Sequence, residues 1–165
     1  MEHTKAPENR INLLEKGKPA LKVLYGLSVY LEKSPVPRAL LDLVYYRVSQ
    51  INRCAFCLDM HSKDLLAAGE SEQRLLVMDA WRETPFYSAK ERAALAWAEA
   101  LTRLDEPQLS STVYREARAH FTEEELIDLT MAVVAINSYN RLNIAFSPEV
   151  GTYQPGAFAS AKANW

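Results

Sequence analysis

The chain has 165 residues, of which 48% are apolar and 24% are charged, and its formal net charge is −2. These values are typical of one globular domain with its own hydrophobic core, and they leave no basic surface for nucleic acid or an anionic membrane. No apolar run approaches the roughly 18 residues of a membrane-spanning helix. The first residues, Met1–Glu8, lack the apolar stretch of a secretory signal, so we expect a cytoplasmic protein.

The sequence has two cysteines, Cys54 and Cys57. A disulfide between residues three apart closes a very short loop in the unfolded chain and therefore stabilises a fold little. A persistent structural disulfide is also uncommon in a reducing cytosol. The pair is therefore more typical of redox or metal chemistry than of a structural cross-link.

Apolar spacing in the first half of the chain predicts three helices. Pro19 is acceptable in a first helical turn, and Ser34–Pro37 would end that helix. Asn52–Arg53 indicates a break, and Gly69 is typical of the residue that follows a helix. The expected helices are Pro19–Leu31, Arg38–Gln50 and Cys54–Ala68.

Three further helices are expected in the second half, each beginning at a capping residue. Ser71 would cap the first, which continues to about Ala80. Ser88–Glu91 and Thr122–Glu125 are capping boxes, in which the first and last side chains each bond the other residue's backbone N–H. The helices that they open would extend to about Leu104 and Ile144.

We predict an all-α organisation. Only five glycines occur, and no stretch shows clean period-two alternation, so there is little material for a sheet. Prolines and glycines make residues 147–165 an irregular C-terminal arm. The prediction is a single domain over residues 1–165 with its core at about 37–146.

Cys54, Cys57 and His61 have the spacing C-x-x-C-x-x-x-H on the third expected helix. At about 100° per residue, the three positions lie within an arc of roughly 60° and share one face. Residues three apart on a helix have Cα atoms roughly 5 Å apart, which a disulfide tolerates. A cysteine at a helix start favours the thiolate, and His61 is placed to accept the Cys57 proton.

Asp42 can join this group only if the chain reverses direction. On one unbroken helix it would lie about 18 Å from Cys54. If Asn52–Arg53 is the turn of a helical hairpin, Asp42 comes level with Asp64, about one turn from His61. Its carboxylate could then orient the imidazole and draw off its proton, as the third member of a triad does.

Each of these residues also has a simpler interpretation. The cysteines could be buried packing, or they could bind zinc with His61, although His3 and His120 have no spacing that supplies a fourth ligand. His61 could be a surface histidine and Asp42 a solvated helix residue. Two tryptophans are most simply core residues, and three asparagines could be polar contacts of a packed helix: Trp81 and Trp97, and Asn137, Asn140 and Asn143.

Residues 43–63 read LVYYRVSQINRCAFCLDMHSK. Together with residues 68–70, 75–83 and 135–146, they resemble the AhpD-like, carboxymuconolactone decarboxylase superfamily. The resemblance covers most of the chain from about Pro37 to Phe146. It implies an all-α fold that assembles into homo-oligomers, commonly through trimers.

The resemblance also implies peroxidase activity on alkyl hydroperoxides. Cys57 matches the cysteine that attacks the peroxide, Cys54 the resolving cysteine, and His61 the proton-relay histidine. Active members are re-reduced by a lipoylated partner, and no cofactor is expected. Two positions depart from the family: glutamate usually stands at Asp42, and the best-known peroxidases have a second histidine where this chain has Phe56.

We therefore expect a thiol-dependent peroxidase that cycles a Cys54–Cys57 disulfide, with His61 and Asp42 as a proton relay. Its partners would be a hydroperoxide and a lipoyl-type or other dithiol reductant, with no nucleic acid and no membrane. Two other classes stay open. One is a decarboxylase-like lyase acting on a lactone acid, although the namesake branch lacks the cysteine pair. The other is a non-enzymatic oligomer whose cysteines sense oxidation.

Apolar surface predicts assembly. Amphipathic helices and an aromatic tail, with Tyr153, Phe158 and Trp165, offer more apolar surface than a lone bundle needs. Since the resemblance independently implies oligomers built through trimers, we expect a closed homo-oligomer, a trimer or hexamer, in which the C-terminal arm reaches across a subunit boundary.

Overall fold

The computed structural model describes residues 10–105 and 109–158. Met1–Glu8, His3 and the end of the arm with Trp165 lie outside the described residues. The described chain contains helices and no strand, which confirms the all-α prediction. The α-helices are α1 (Leu13–Lys16), α2 (Lys18–Leu31), α3 (Arg38–Asn52), α4 (Ala55–Ala67), α5 (Glu72–Leu76), α6 (Ala89–Arg103), α7 (Ser111–His120) and α8 (Glu123–Phe146).

Helices α3 and α4 form the expected hairpin. Arg53 ends α3 in the left-handed conformation, with φ 55° and ψ 39°, and the chain reverses there. The rings of Tyr45 on α3 and His61 on α4 lie 5.5 Å apart. The bounds of α2, α3 and α4 are within two residues of the expected ones. The sequence prediction of a turn at Asn52–Arg53 is thus confirmed.

Both capping boxes are present. Ser88 and Glu91 exchange side-chain and backbone hydrogen bonds at the start of α6, and Thr122 and Glu125 do the same at the start of α8. Helix α7, which the sequence analysis did not predict, is capped by the Ser110 side chain. Helix α1 was not predicted either.

The helix expected after Ser71 is wrong in its extent. Helix α5 has five residues, the Ser71 side chain makes no capping bond, and Met78–Glu83 is a 3-10 helix. Ala80 lies outside helical conformation, with φ −105° and ψ 26°. A short 3-10 segment of this kind changes the direction of the side chains that follow it.

A buried carboxylate accounts for this change of direction. Glu99 accepts hydrogen bonds from Trp81 Nε1 at 2.9 Å, Arg82 Nη1 at 2.6 Å and Arg47 Nε at 2.7 Å. Burial opposes its charge, but these donors hold the pKa of the Glu99 carboxyl below its usual value. A buried charge is costly without partners. The tighter 3-10 turn brings both Trp81 and Arg82 within hydrogen-bond distance of the Glu99 carboxylate.

Helix α3 lies at the centre and packs against α4, α6 and α8. The main core joins it to α2, α6, α7 and α8 and includes the buried Trp97, and a second cluster beside the hairpin contains Trp81 and Met78. Both tryptophans are therefore core residues, as expected. No helix in the two described ranges has both the length and the apolarity needed to cross a membrane.

Candidate active site

The two cysteines lie at the start of α4. Cys54 is the N-cap residue in extended conformation, and Cys57 lies in the first turn. They are joined as a disulfide with Cα atoms 5.3 Å apart, and the exposed fractions of the two residues are 1% and 0%. The Cys54 N–H donates to the Ser49 carbonyl at 3.1 Å, which ties the pair to the end of α3.

Asparagines of α8 hold the hairpin turn in place. Asn52 Nδ2 donates to the side-chain oxygens of Asn137 and Asn140, each at 2.9 Å. Asn140 Nδ2 in turn donates to Ser49 Oγ at 3.1 Å, and Asn140 is fully buried. Because buried amides are stable only when hydrogen-bonded, this network fixes the turn that positions Cys54.

Asn143 is a site residue to which the sequence analysis gave only a packing role. Its Nδ2 donates to Cys57 Sγ at 3.3 Å. An N–H aimed at sulfur stabilises a thiolate more than a thiol. The spacing of Asn137, Asn140 and Asn143 at i, i+3 was the available signal, since such residues are neighbours along a helix surface.

His61 lies one turn after Cys57 and is buried, with an exposed fraction of 8%. Its Nε2 has no hydrogen-bond partner among the residues the structure describes. Burial, and then the positive charge of Arg38, lower the pKa of His61 to about 3. The imidazole is therefore neutral at pH 7, with a buried nitrogen still free to exchange a proton.

Asp42 lies on the hairpin, but its carboxylate binds Arg38. Arg38 Nε donates to the two Asp42 oxygens at 2.8 and 3.0 Å. Burial raises the pKa of Asp42 against this bond, and the charge of Asp64 raises it further. Between Asp42 and His61, both within the described ranges, there is no hydrogen bond.

The C-terminal arm folds onto α4 of its own chain. Tyr153 Oη donates to both Asp64 oxygens at 2.9 Å, and the Gly151 N–H donates to Asp59 at 3.1 Å. Lys63 Nζ donates to the carbonyls of Gly151 and Tyr153 at 3.0 and 3.1 Å. The described part of the arm thus contacts its own chain, and its contact with another subunit stays a prediction.

Burial and Asp64 raise the pKa of Tyr153 to about 12, so its hydroxyl stays a donor at neutral pH. The Phe158 ring stacks on the Tyr153 ring, with their centroids 5.5 Å apart. Its centroid lies 6.4 Å from that of Phe56, which lies between the two cysteines in the sequence. The arm therefore covers the outer side of the cysteine segment.

The donor set is suited to thiol chemistry. In the part of the chain that the structure describes, no three His, Cys, Asp or Glu side chains gather where they could hold a metal ion. What the site does bring together is a dithiol pair, a neutral histidine, and an amide donor on one sulfur. Such a group can form, stabilise and oxidise a thiolate.

Comparison with known proteins places this site in a family. The model of the carboxymuconolactone decarboxylase family matches residues 20–100. The uncharacterized protein YdfG of Bacillus subtilis (strain 168) is 38% identical over 136 residues, which are 82% of this chain and 92% of YdfG. The chain belongs to the AhpD-like, carboxymuconolactone decarboxylase superfamily.

Solved structures agree with the AhpD-like assignment. An Agrobacterium tumefaciens protein of unknown function, proposed to be the antioxidant defence protein AhpD, has a TM-score of 0.83 and 36% identity, covering 88% of this chain and 100% of that one. The debrominase Bmp8 has a TM-score of 0.74 at 19% identity, covering 84% of this chain and 75% of its own. The Bmp8 likeness shows the fold alone.

Proposed function

We propose that this AhpD-like protein is a thiol-dependent peroxidase that reduces a hydroperoxide by cycling Cys54 and Cys57 between dithiol and disulfide. The observation that supports it best is the position of Cys57. Its sulfur is bonded to that of Cys54 and accepts a hydrogen bond from Asn143, and the neutral His61 follows one turn later on the same helix.

The first half of the cycle oxidises the protein. Cys57 thiolate attacks the distal peroxide oxygen, the O–O bond breaks, and the departing alkoxide takes a proton to leave as an alcohol. Cys57 is then a sulfenic acid. The Cys54 thiol attacks the Cys57 sulfur, a disulfide forms, and the sulfenic oxygen departs as water.

The second half restores the thiols. An external dithiol, of lipoyl type or similar, exchanges with the protein disulfide and becomes a disulfide itself. His61 would accept the Cys57 proton before attack and return it to the alkoxide. Asp42 would affect His61 only indirectly, through the charge of Arg38, since its carboxylate binds Arg38 and not His61.

Two alternatives remain to be tested against this proposal. A decarboxylase-like lyase would use the pocket without any change in the cysteines, and a redox-sensing oligomer would oxidise them without turnover.

Thiol counting with single-cysteine variants tests the proposal. One equivalent of an alkyl hydroperoxide should remove two thiols from the wild type. Cys54→Ser should accumulate a sulfenic acid on Cys57, because nothing resolves it, and Cys57→Ser should form none. His61→Ala should slow sulfenic acid formation by about 10²- to 10⁴-fold near pH 7, and Asp42→Asn by less. If a sulfenic acid is instead detected on Cys54 in the Cys57→Ser protein, Cys54 is the attacking cysteine and Cys57 the resolving one.

Failure of turnover would discriminate between the alternatives. Unchanged thiols together with consumption of a lactone acid would replace the peroxidase by a lyase. Complete oxidation of both cysteines without multiple turnovers, in the presence of a dithiol reductant, would favour the sensor.

A further inference from the structure

A cavity of about 200 Å³ opens beside Cys54. It lies between the hairpin turn, the end of α8 and the first residues of the arm. Arg53 and Asn143 supply polar walls, and Phe56, Pro148 and Val150 supply apolar ones. It is therefore large enough for a small molecule and adjoins the redox pair.

Only one of the two sulfur-bearing residues faces this cavity. Both cysteines are almost entirely buried, but Cys54 lines the cavity and Cys57 does not. A thiolate entering here would reach Cys54 first. The sulfur expelled would be that of Cys57, and Asn143 Nδ2 lies 3.3 Å from it. A leaving thiolate that is stabilised in this way departs faster.

Arg53 at the cavity wall has the properties of an anion-binding group. It is exposed, and in the described chain its guanidinium has no hydrogen bond or ion pair, unlike that of Arg38, which binds Asp42. It also occupies a left-handed position, with φ 55°. Glycine or asparagine would suit that backbone better, so the turn alone does not call for arginine.

We propose that this cavity receives a small dithiol reductant that carries a carboxylate. The reductant's carboxylate would bind Arg53, and one of its sulfurs would attack Cys54. This inference rests on the proposed redox function. One thiolate of the reductant attacks Cys54 Sγ, the Cys54–Cys57 bond breaks, and its electron pair goes to Cys57. The second thiol then attacks the reductant's own mixed-disulfide sulfur, releasing Cys54 as a thiolate that is protonated, and the reductant leaves as a disulfide.

Single-turnover reduction of the oxidised protein tests the charge preference. The probes are dihydrolipoic acid and its neutral amide, which share one dithiol and differ in the carboxylate. At low salt the wild type should react about three- to fivefold faster with the acid, as expected for one partly exposed charge pair. That ratio should fall to about one in Arg53→Asn and in high salt, and Arg53→Lys should restore most of it.

Arg115→Asn is the matched control, because Arg115 is an exposed arginine on α7 away from the cavity, and it should keep the wild-type ratio. Asparagine at position 53 tolerates the left-handed backbone, so the turn should survive.

A separate experiment identifies which cysteine is attacked. Mercaptoacetate, acid quenching and alkylation of the freed thiol, followed by fragment mass spectrometry, should find the adduct on Cys54.

Four outcomes are decisive. Equal rates for acid and amide in the wild type, or an unchanged ratio in Arg53→Asn, would overturn the assignment of the cavity while leaving peroxidase activity intact. An adduct on Cys57 would overturn it as well. Failure of both dithiols to reduce the protein, with no thiol loss to peroxide, would instead defeat the proposed function itself.

Discussion

Burial of His61 determines how it can act as a base. An imidazole with a pKa of about 3 is neutral at pH 7, but it is a weak proton acceptor, since an efficient general base has a pKa near the working pH. A thiolate on Cys57, one helical turn away, would favour the imidazolium and raise that pKa. Proton transfer from Cys57 to His61 is therefore a coupled titration in which each ion stabilises the other.

The same burial predicts a loss of stability in acid. The pKa of His61 is about 3 in the folded protein and 6.5 in its ordinary state, so the unfolded chain binds more protons between these values. The free energy of unfolding is therefore highest above pH 6.5 and falls as the pH drops towards 3. Between neutral pH and pH 4, the free energy of unfolding measured in urea should fall by on the order of a few kcal/mol less in His61→Gln than in the wild type.

His120→Gln is the control for this measurement, because His120 is exposed at the end of α7. It should keep the wild-type dependence of stability on pH. If His61→Gln also keeps it, the histidine is solvated in solution and the argument from burial fails.

A second residue-level prediction concerns Asn143. Asn143→Leu keeps the size of the side chain and removes the donor to Cys57 Sγ. Hydrogen bonds to charged groups contribute about 1.5–3 kcal/mol, so the pKa of the Cys57 thiol should rise by about one to two units. The pH dependence of alkylation in a Cys54→Ser background measures this shift.

Asn143→Asp should raise the same pKa further, because it places a negative charge beside the thiolate. Ser138→Ala, at a partly buried position of the same helix, should leave the alkylation profile unchanged. An unaltered profile in Asn143→Leu would reduce Asn143 to a packing residue.

At the level of the elements, the sequence predicted what local chemistry determines. The two capping boxes, the break at Asn52–Arg53 and the shared face of the cysteines all depend on residues close in sequence. The hairpin could be predicted because its turn and both apolar faces are local. The 3-10 helix could not, since it depends on Glu99 of α6, whose partners come from α3 and from the 3-10 helix itself.

The site was predictable to the same extent. Cys54, Cys57 and His61 lie within eight residues, so helical geometry alone brings them together. The Asn143 contact and the course of the arm depend on tertiary packing of α8 and the C-terminal segment against α4. Pairing of Asp42 with Arg38 is a local i, i+4 contact, which the sequence analysis passed over in favour of a longer relay.

The arm yields a prediction at this scale. Tyr153→Phe leaves the ring but removes the hydroxyl, which donates to Asp64 and accepts from the Gly156 N–H, so residues 148–158 should open more often. The Gly151 and Gly156 N–H groups, which donate to Asp59 and Asp64, should exchange with solvent about tenfold faster or more, since a charged hydrogen bond contributes about 1.5–3 kcal/mol.

Because Pro148 and Val150 form walls of the Cys54 cavity, reduction of the disulfide should also accelerate in Tyr153→Phe. Tyr114→Phe, at a half-exposed tyrosine of α7, is the control for both measurements. Amide exchange identical to the wild type in Tyr153→Phe would show that the arm is held by its other contacts.

At the level of the whole molecule, large apolar side chains remain exposed on two adjoining helices. Leu104 is 71% exposed, Ile127 60% and Val134 46%. A groove of about 290 Å³ lies between α6 and α8, with walls that include Leu101 and Val133. Exposed apolar side chains around a groove, here Leu104 and Val134, are typical of a protein–protein interface.

We therefore predict that the chain assembles through this groove, into the closed trimer or hexamer that the family resemblance implies. Val134→Glu would place a charge at its wall, and burying an unpaired carboxylate in an interface is costly, so the variant should dissociate towards 18.7 kDa. Light scattering at low micromolar concentration measures the mass. Val23→Glu, at an 80% exposed position of α2, tests where the interface lies. If Val23→Glu dissociates and Val134→Glu does not, the interface is on α2. A wild-type monomer would contradict assembly altogether.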